Sequence, residues 1–184
     1  DTILVAAGVY TYGSGGACNS ETGAPAVVCV FAKNLILRGG FASGDFSNYN
    51  PAQNQTIIDG QTQNRGVFVL SYNKPSATGL DMAGFTIRNG FGTGIGKRPA
   101  EDSYYGYGGG MFVEFAGSIV LKDMHFENNR AVGADHSPGA GGIGVGGALS
   151  FRDAQVATLE NVRFTGNQAI GGVGPTRGGN GQGG

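Results

Sequence analysis

Three tyrosines fall within four residues of one glycine-punctuated segment, Tyr104-Tyr105-Gly106-Tyr107-Gly108, and form the clearest binding signal in the chain. Tyrosine offers flat, amphipathic contact area at low entropic cost, which suits a sugar ring or a protein partner. The same three rings could equally fold back over the flank of their own domain. Groups for acid–base or metal chemistry are sparser. Asp59, Asp81, Asp123 and Asp153 each stand beside an expected turn, where an Asp side chain bonds its own nearby backbone. Turn-capping is therefore expected of them rather than catalysis. Glu101-Asp102 is an adjacent carboxylate pair in a loop after Lys97-Arg98 and reads as solvated. His125 alternates with inward Met124 or Phe126 and is expected to face solvent, while His136 lies beside Asp135 in a Gly-rich loop. Two histidines without a Cys or Glu at ligand spacing make no metal site. Neither a metal nor a cofactor is expected, and the chain reads as a non-enzyme.

Bulk composition narrows the classes further. The 184 residues include 37 glycines and carry a formal net charge of −1, with 14% charged and 40% hydrophobic residues. No basic stripe exists to neutralise phosphates, so no nucleic-acid partner is expected. No apolar run approaches the ~20 residues of a membrane span. The Gly142-Ile143-Gly144-Val145-Gly146-Gly147 segment precedes a strand and lacks the Lys and Ser/Thr of a phosphate loop. The Asp-bearing nonapeptide of calcium-binding β-rolls is missing as well. Asn54-Gln55-Thr56 is a formal glycosylation acceptor. Cys18 and Cys29 stand eleven positions apart. In an oxidising compartment they would close a short loop and stabilise the fold by roughly 2–3 kcal/mol in the chain-entropy model. In a reducing cell they would be two buried thiols.

The elements that must carry these residues are short strands. Ile3-Leu4-Val5, Val27 to Phe31, Leu35-Ile36-Leu37, Ile57-Ile58 and Val67 to Leu70 are β-branched or aromatic runs bounded by Gly, Asn and Asp. No stretch shows a sustained helical stripe. A pair of words then repeats in order. Gly109-Gly110-Met111-Phe112 precedes Phe126-Glu127-Asn128-Asn129, and Gly146-Gly147-Ala148-Leu149 precedes Phe164-Thr165-Gly166-Asn167. Phe126 and Phe164 are 38 residues apart, and a looser copy ends in Phe85-Thr86-Ile87-Arg88-Asn89-Gly90. Repeats of this length are units that bury their apolar faces on one another. A Leu stands five residues before each Phe, which predicts one ladder of Leu80, Leu121 and Leu159 and another of Phe85, Phe126 and Phe164. Rungs would lie ~4.8 Å apart. Asn129 and Asn167 are expected to form a short Asn ladder at one corner. Segments 91–108, 131–146 and 170–184 read as loops leaving one corner, often the binding face of such an array.

The Gly-Gly-Ala-Leu and Phe-x-x-Asn words resemble the repeats of the polymorphic outer-membrane proteins and related surface adhesins. Asp1 to Tyr10, Leu37-Arg38-Gly39-Gly40-Phe41 and Ile58-Asp59-Gly60 look like the first rungs of the wider pectin-lyase-like superfamily. The resemblance touches residues 1–11, 35–60 and 80–169. It implies a right-handed parallel β-helix, a fold that carries lyases, hydrolases, tailspikes and inert adhesins alike. The Asp-Asp, Gly-His-Gly and Arg-x-Lys words of the related hydrolases are missing here. In the first copy Asn89 falls one place late, so its corner is expected to differ.

The expectation is thus an all-β, right-handed parallel β-helix of roughly four to five coils in one domain, 1–184. Residues 1–60 form irregular first coils, 66–169 regular repeats and 170–184 a Gly-rich tail. The chain reads as a mature or excised segment of an extracellular protein. Its expected role is structural and non-catalytic, that of a surface or filament subunit whose rungs stack end to end. Cell-surface glycans or proteins are its further expected partners, reached through Tyr104, Tyr105 and Tyr107. The alternative is a polysaccharide-binding or polysaccharide-degrading module of the same fold.

Overall fold

A computed structural model describes residues 1–13, 25–71, 78–94, 104–136 and 139–184. Cys18, Glu101 and Asp102 lie outside the described residues. Among those described there is no α-helix, and the chain is built from parallel strands. The first five are β1 (Thr2–Ala6), β2 (Gly8–Tyr10), β3 (Ala26–Phe31), β4 (Asn34–Phe41) and β5 (Thr56–Asp59). Then come β6 (Arg65–Leu70), β7 (Gly79–Ala83), β8 (Phe85–Arg88), β9 (Phe91–Thr93) and β10 (Gly106–Tyr107). The repeats supply β11 (Met111–Glu114), β12 (Ser118–Glu127), β13 (Arg130–Val132) and β14 (Gly144–Val145). Last are β15 (Leu149–Arg152), β16 (Val156–Thr165), β17 (Gln168–Ile170) and β18 (Gly181–Gln182).

Each strand pairs in parallel with its counterpart in a neighbouring repeat. One sheet runs β3, β6, β11, β15; a second runs β9, β13, β17; a third runs β10, β14, β18. The remaining strands join in the largest sheet, because β12 and β16 each span two stretches that are separate strands earlier in the chain. The first half of β12 pairs with β7 and its second half with β8. Strand β16 runs continuously through a bend at Asn161, φ 52°, and β12 bends likewise at Asp123, φ 50°. Asp and Asn tolerate this left-handed backbone better than most side chains. In the preceding repeat Gly84, φ 78°, stands at the junction of β7 and β8.

The core lies between the sheets. Val67, Val69, Met111 and Val113 meet Met82, Leu121, Ile87 and Phe126, all essentially excluded from water. Burying each such side chain contributes roughly 1.5–3 kcal/mol. The expected ladders are displaced in their first rung. Leu121 lies opposite Leu159 and Met82, whereas Leu80 lies opposite Ile119. Phe126 lies opposite Phe164 and Ile87, whereas Phe85 pairs with Thr56 in the strand on its other side. The slip is two residues in both ladders. A two-residue slip keeps every side chain on the same face, so the alternation pattern tolerates it. The inward positions are filled either way, and the looser copy contributes Met82 and Ile87 as the rungs.

Strand alternation also builds a second apolar cluster on the other face of β3, β6 and β11. Phe68, Leu70 and Phe112 pack there with half-buried Cys29, Tyr107 and Phe115. Cys29 is disulfide-bonded. The ring of Phe112 stacks on Phe68 at 5.6 Å and on Tyr107 at 5.0 Å. Strand β6 is therefore buried on both faces.

Candidate functional site

The short sheet β10–β14–β18 decides where the loops go. Each of its strands is entered from a loop, and the parallel register Gly106↔Gly144↔Gly181 sets the three loop ends side by side. Residues 104–105 enter β10, 139–143 enter β14 and 177–180 enter β18. Between them lies a cavity of about 500 Å³, lined by Tyr104, Tyr105, His136, Arg177, Asn180 and the backbone of neighbouring glycines. One loop from each of three successive repeats contributes to it.

Within the cavity the Tyr104 and His136 rings stack with centroids 4.1 Å apart. His136 Nδ1 lies 3.1 Å from the Ala140 carbonyl, which can only accept, so Nδ1 carries the proton. In the neutral ring Nε2 is then left as an acceptor. Gly139 makes room for this imidazole: a β-carbon there would stand 2.5 Å from His136 Cε1. Backbone bonds tie the loops together, from the Ala134 N–H to the Tyr104 carbonyl at 2.9 Å and from the Gly141 N–H to the Arg177 carbonyl at 3.0 Å. The His136 N–H donates to the Val173 carbonyl, and the Val173 N–H to Asp135 Oδ1.

The three tyrosines divide between two places. Tyr104 and Tyr105 line the cavity. Tyr107 stacks on Phe112 and covers the second apolar cluster, with the Tyr105 ring edge-on to it at 5.9 Å. The arm is held from beneath by Arg65, which is wholly buried. Its Nε donates to the Gly108 carbonyl at 2.9 Å and its Nη2 to the Tyr107 carbonyl at 2.9 Å. Its guanidinium lies 5.5 Å from the Phe68 ring centre and 5.2 Å from that of Phe112. Burial pushes its pKa down to about 10 while the Glu114 charge pulls the other way. Arg65 therefore stays charged at neutral pH.

Sequence reasoning placed Tyr104 and Tyr105 in a binding role but missed Arg65, Arg177 and Asn180, and weighed His136 solely as a metal ligand. A lone Arg opening the run Gly66-Val67-Phe68-Val69-Leu70 was the available signal for Arg65, since a charge inside an apolar strand needs partners. For Arg177 and Asn180 the glycine-rich context gave none.

The carboxylates are occupied elsewhere. Asp59 Oδ1 accepts from the Gln61 N–H at 2.9 Å, and Oδ2 from Arg88 Nε at 2.7 Å. Asp81 lies mid-strand, not at a turn, and forms a two-pronged pair with Arg38 at 2.9 and 2.6 Å. Asp123 accepts from the Tyr49 hydroxyl at 3.0 Å and from Asn161 Nδ2 at 2.6 Å. Burial, then the hydrogen bond and charge of Asp123, push the Tyr49 hydroxyl up to about 12. Asp153, φ 55°, follows β15 beside Arg152. His125 Nε2 lies 3.1 Å from the Thr165 hydroxyl. Among the described residues no three His, Cys, Asp or Glu side chains gather at metal-binding distance. Among the described residues no helix is long and apolar enough to cross a membrane.

At the corner after β12 and β16, Asn129 and Asn167 stand one above the other. Asn129 Nδ2 donates to Asn167 Oδ1 and to the Ile87 carbonyl, both at 2.9 Å, and its Oδ1 accepts from the Gly90 N–H at 2.8 Å. Asn167 Nδ2 reaches the Phe126 carbonyl at 2.9 Å. The first copy places Gly90 at this corner instead, where a β-carbon would run into the Gly109 carbonyl. Asn89 turns outward to Asp59 at 3.2 Å.

No protein-family model, curated protein or solved structure matches the chain.

Proposed function

We propose that the chain is a non-catalytic extracellular structural protein, a right-handed parallel β-helix of the surface-subunit kind, which binds saccharide in its corner-loop cavity. The observation that carries this reading is the convergence of loops from three repeats on one cavity walled by Tyr104, Tyr105 and His136. Concave sites with aromatic walls and a few polar groups are the usual form of small-ligand sites. The coiled architecture is supported by the pairing of each strand with its counterpart a repeat away. Right-handedness is supported by the rule that about 98% of parallel crossovers have that hand. Non-catalysis is supported by Asp59, Asp81 and Asp123, each held by named partners. The test is a glycan-array screen of the wild type beside Gly178→Phe and Tyr105→Ala. A β-carbon at Gly178 meets nothing nearer than the Gly172 carbonyl at 3.8 Å, so a large side chain can enter the space without moving backbone. Specific signals lost in both variants are expected; no signal from the wild type sinks the reading.

A second reading, end-to-end stacking of copies, is favoured by a separate observation. The outermost strand β16 exposes Val156, Leu159 and Phe164, and β1 and β2 on the opposite side expose Ile3, Leu4 and Val9. These two edges belong to the same sheet and run in the same direction. Electron microscopy across a wide concentration range tests it: filaments support stacking, and dispersed short particles at every concentration end it.

A further inference from the structure

We infer that the corner-loop cavity selects a saccharide bearing a sulfate ester. This inference rests on the saccharide-binding reading and names its ligand class. The cavity, about 500 Å³, lies within the roughly 300–1,000 Å³ of small-ligand sites. No carboxylate is among its described lining residues, and Arg177 is its one permanent cation. That guanidinium has no ion-pair partner among the described residues. A cation without an ion-pair partner, on a wall with no carboxylate among its described residues, attracts an anion.

The surroundings favour a sulfate over a carboxylate. A carboxylate is planar and is matched by one guanidinium fork. A sulfate ester has three terminal oxygens that point in different directions and accept best from donors on different walls. Here Arg177 and Asn180 line the cavity from one loop and Tyr104 and Tyr105 from another, so side chains of donor type stand on two of its walls. A sulfate ester spreads a single negative charge over three oxygens and holds water less tightly than a carboxylate. Guanidinium is likewise weakly hydrated, so the pair loses little when brought against aromatic rings. The stacked Tyr104–His136 pair supplies such a wall. His136 Nε2, left as an acceptor by the Nδ1–H bond to Ala140, suits a sugar hydroxyl. The glycines keep the remaining wall at backbone level, leaving room for the pyranose.

The experiment is an array of sulfated, carboxylated and neutral glycans, followed by calorimetry on a sulfated binder, its desulfated parent and its uronate analogue. Wild type, Arg177→Gln and Gly178→Phe are compared, with thermal melts confirming that all three fold. The sulfated ligand is expected to bind at least tenfold more tightly than the other two. Arg177→Gln should cost the sulfated ligand at least tenfold in affinity and bring it down to the level of the desulfated parent. Gly178→Phe should abolish binding of every ligand. Equal or tighter binding of the uronate, or of the neutral parent, overturns the sulfate inference and leaves the saccharide pocket standing. So does an Arg177→Gln variant that keeps wild-type affinity. An array with no signal, or binding that survives Gly178→Phe, overturns both.

Discussion

Asp59 illustrates how a single side chain ties two repeats together. Its carboxylate accepts from Gln61, Arg88 and Asn89, and its side chain is 11% exposed. Burial raises its pKa, but the bonds from the Gln61 N–H, Arg88 and Asn89 and the Arg88 charge outweigh it and hold the group below the ordinary value. A carboxyl whose folded pKa is depressed stabilises the fold above its unfolded value of about 3.9 and loses that contribution as pH falls through the folded value. Asp59→Asn should therefore cost about 1.5–3 kcal/mol at pH 7, the worth of charge-assisted bonds. Its deficit should shrink once the pH is well below the carboxylate range. Denaturant titrations of both proteins at neutral and acid pH check this; an equal deficit at both would refute it. Arg65 is a positioning residue by the same logic. Losing its bonds to the Tyr107 and Gly108 carbonyls in Arg65→Met should free the tyrosine arm while the apolar stem still fills the space. Hydrogen exchange is the measurement: amides at 104–108 should exchange at least tenfold faster with little change elsewhere, and uniform acceleration would mean a general loss of stability instead.

Among the elements, the corner formed by Asn129 and Asn167 stands out because the same residue type sits in two different environments. Asn129 is completely buried and satisfies the Gly90 N–H, the Ile87 carbonyl and Asn167, while Asn167 lies on the outermost repeat and is half-buried. Leaving buried polar groups unpaired costs about 1–3 kcal/mol each. Asn129→Ala should thus cost about 3 kcal/mol or more and Asn167→Ala about 1 kcal/mol. Urea melts of the two variants decide it, and equal losses would mean the ladder contributes nothing beyond local corner geometry. The repeat words made this corner legible, because Phe-x-x-Asn fixes the distance from the inward ring to the turn. The register of the looser copy was not legible. Leu80 and Phe85 kept the five-residue spacing, yet Met82 and Ile87 occupy the rungs, since period-two strands cannot distinguish a slip of two. Gly90 at the corner held the missing clue: it aligns with Asn129, which puts Ile87 beneath Phe126. The cavity was half legible for a related reason. Its tyrosines advertise themselves by type, whereas His136, Arg177 and Asn180 acquire meaning from the pairing of β10, β14 and β18, strands of two residues that carry almost no sequence signal.

At the scale of the whole molecule, identical side chains in register have opposite fates. Leu121 and Phe126 are 0% exposed, while Leu159 and Phe164 directly opposite them are 43% and 46% exposed. The difference is one of cover alone: β12 has a neighbour on each side and β16 on one. The Phe126 and Phe164 rings already stack at 5.3 Å, so the outer face of Phe164 repeats the surface that Phe164 itself covers on Phe126. An unpaired parallel edge with apolar rungs is a template for another strand of the same kind, and β1 carries the matching open edge of that sheet. Head-to-tail pairing of unlike edges does not close on itself and generates a linear array. The substitution that separates folding from association is Leu159→Lys. At a half-exposed position its flexible stem can carry the charge into water, so the melting temperature should stay within a few degrees of wild type. Leu121→Lys, the same change one repeat inward, should prevent folding, because the charge would be buried without a partner. If copies stack, sedimentation velocity on the wild type should show species that grow with concentration, and Leu159→Lys should remove them while keeping the native circular dichroism. A wild type that stays monomeric at every concentration would show that this edge does not pair with β1 of a second copy.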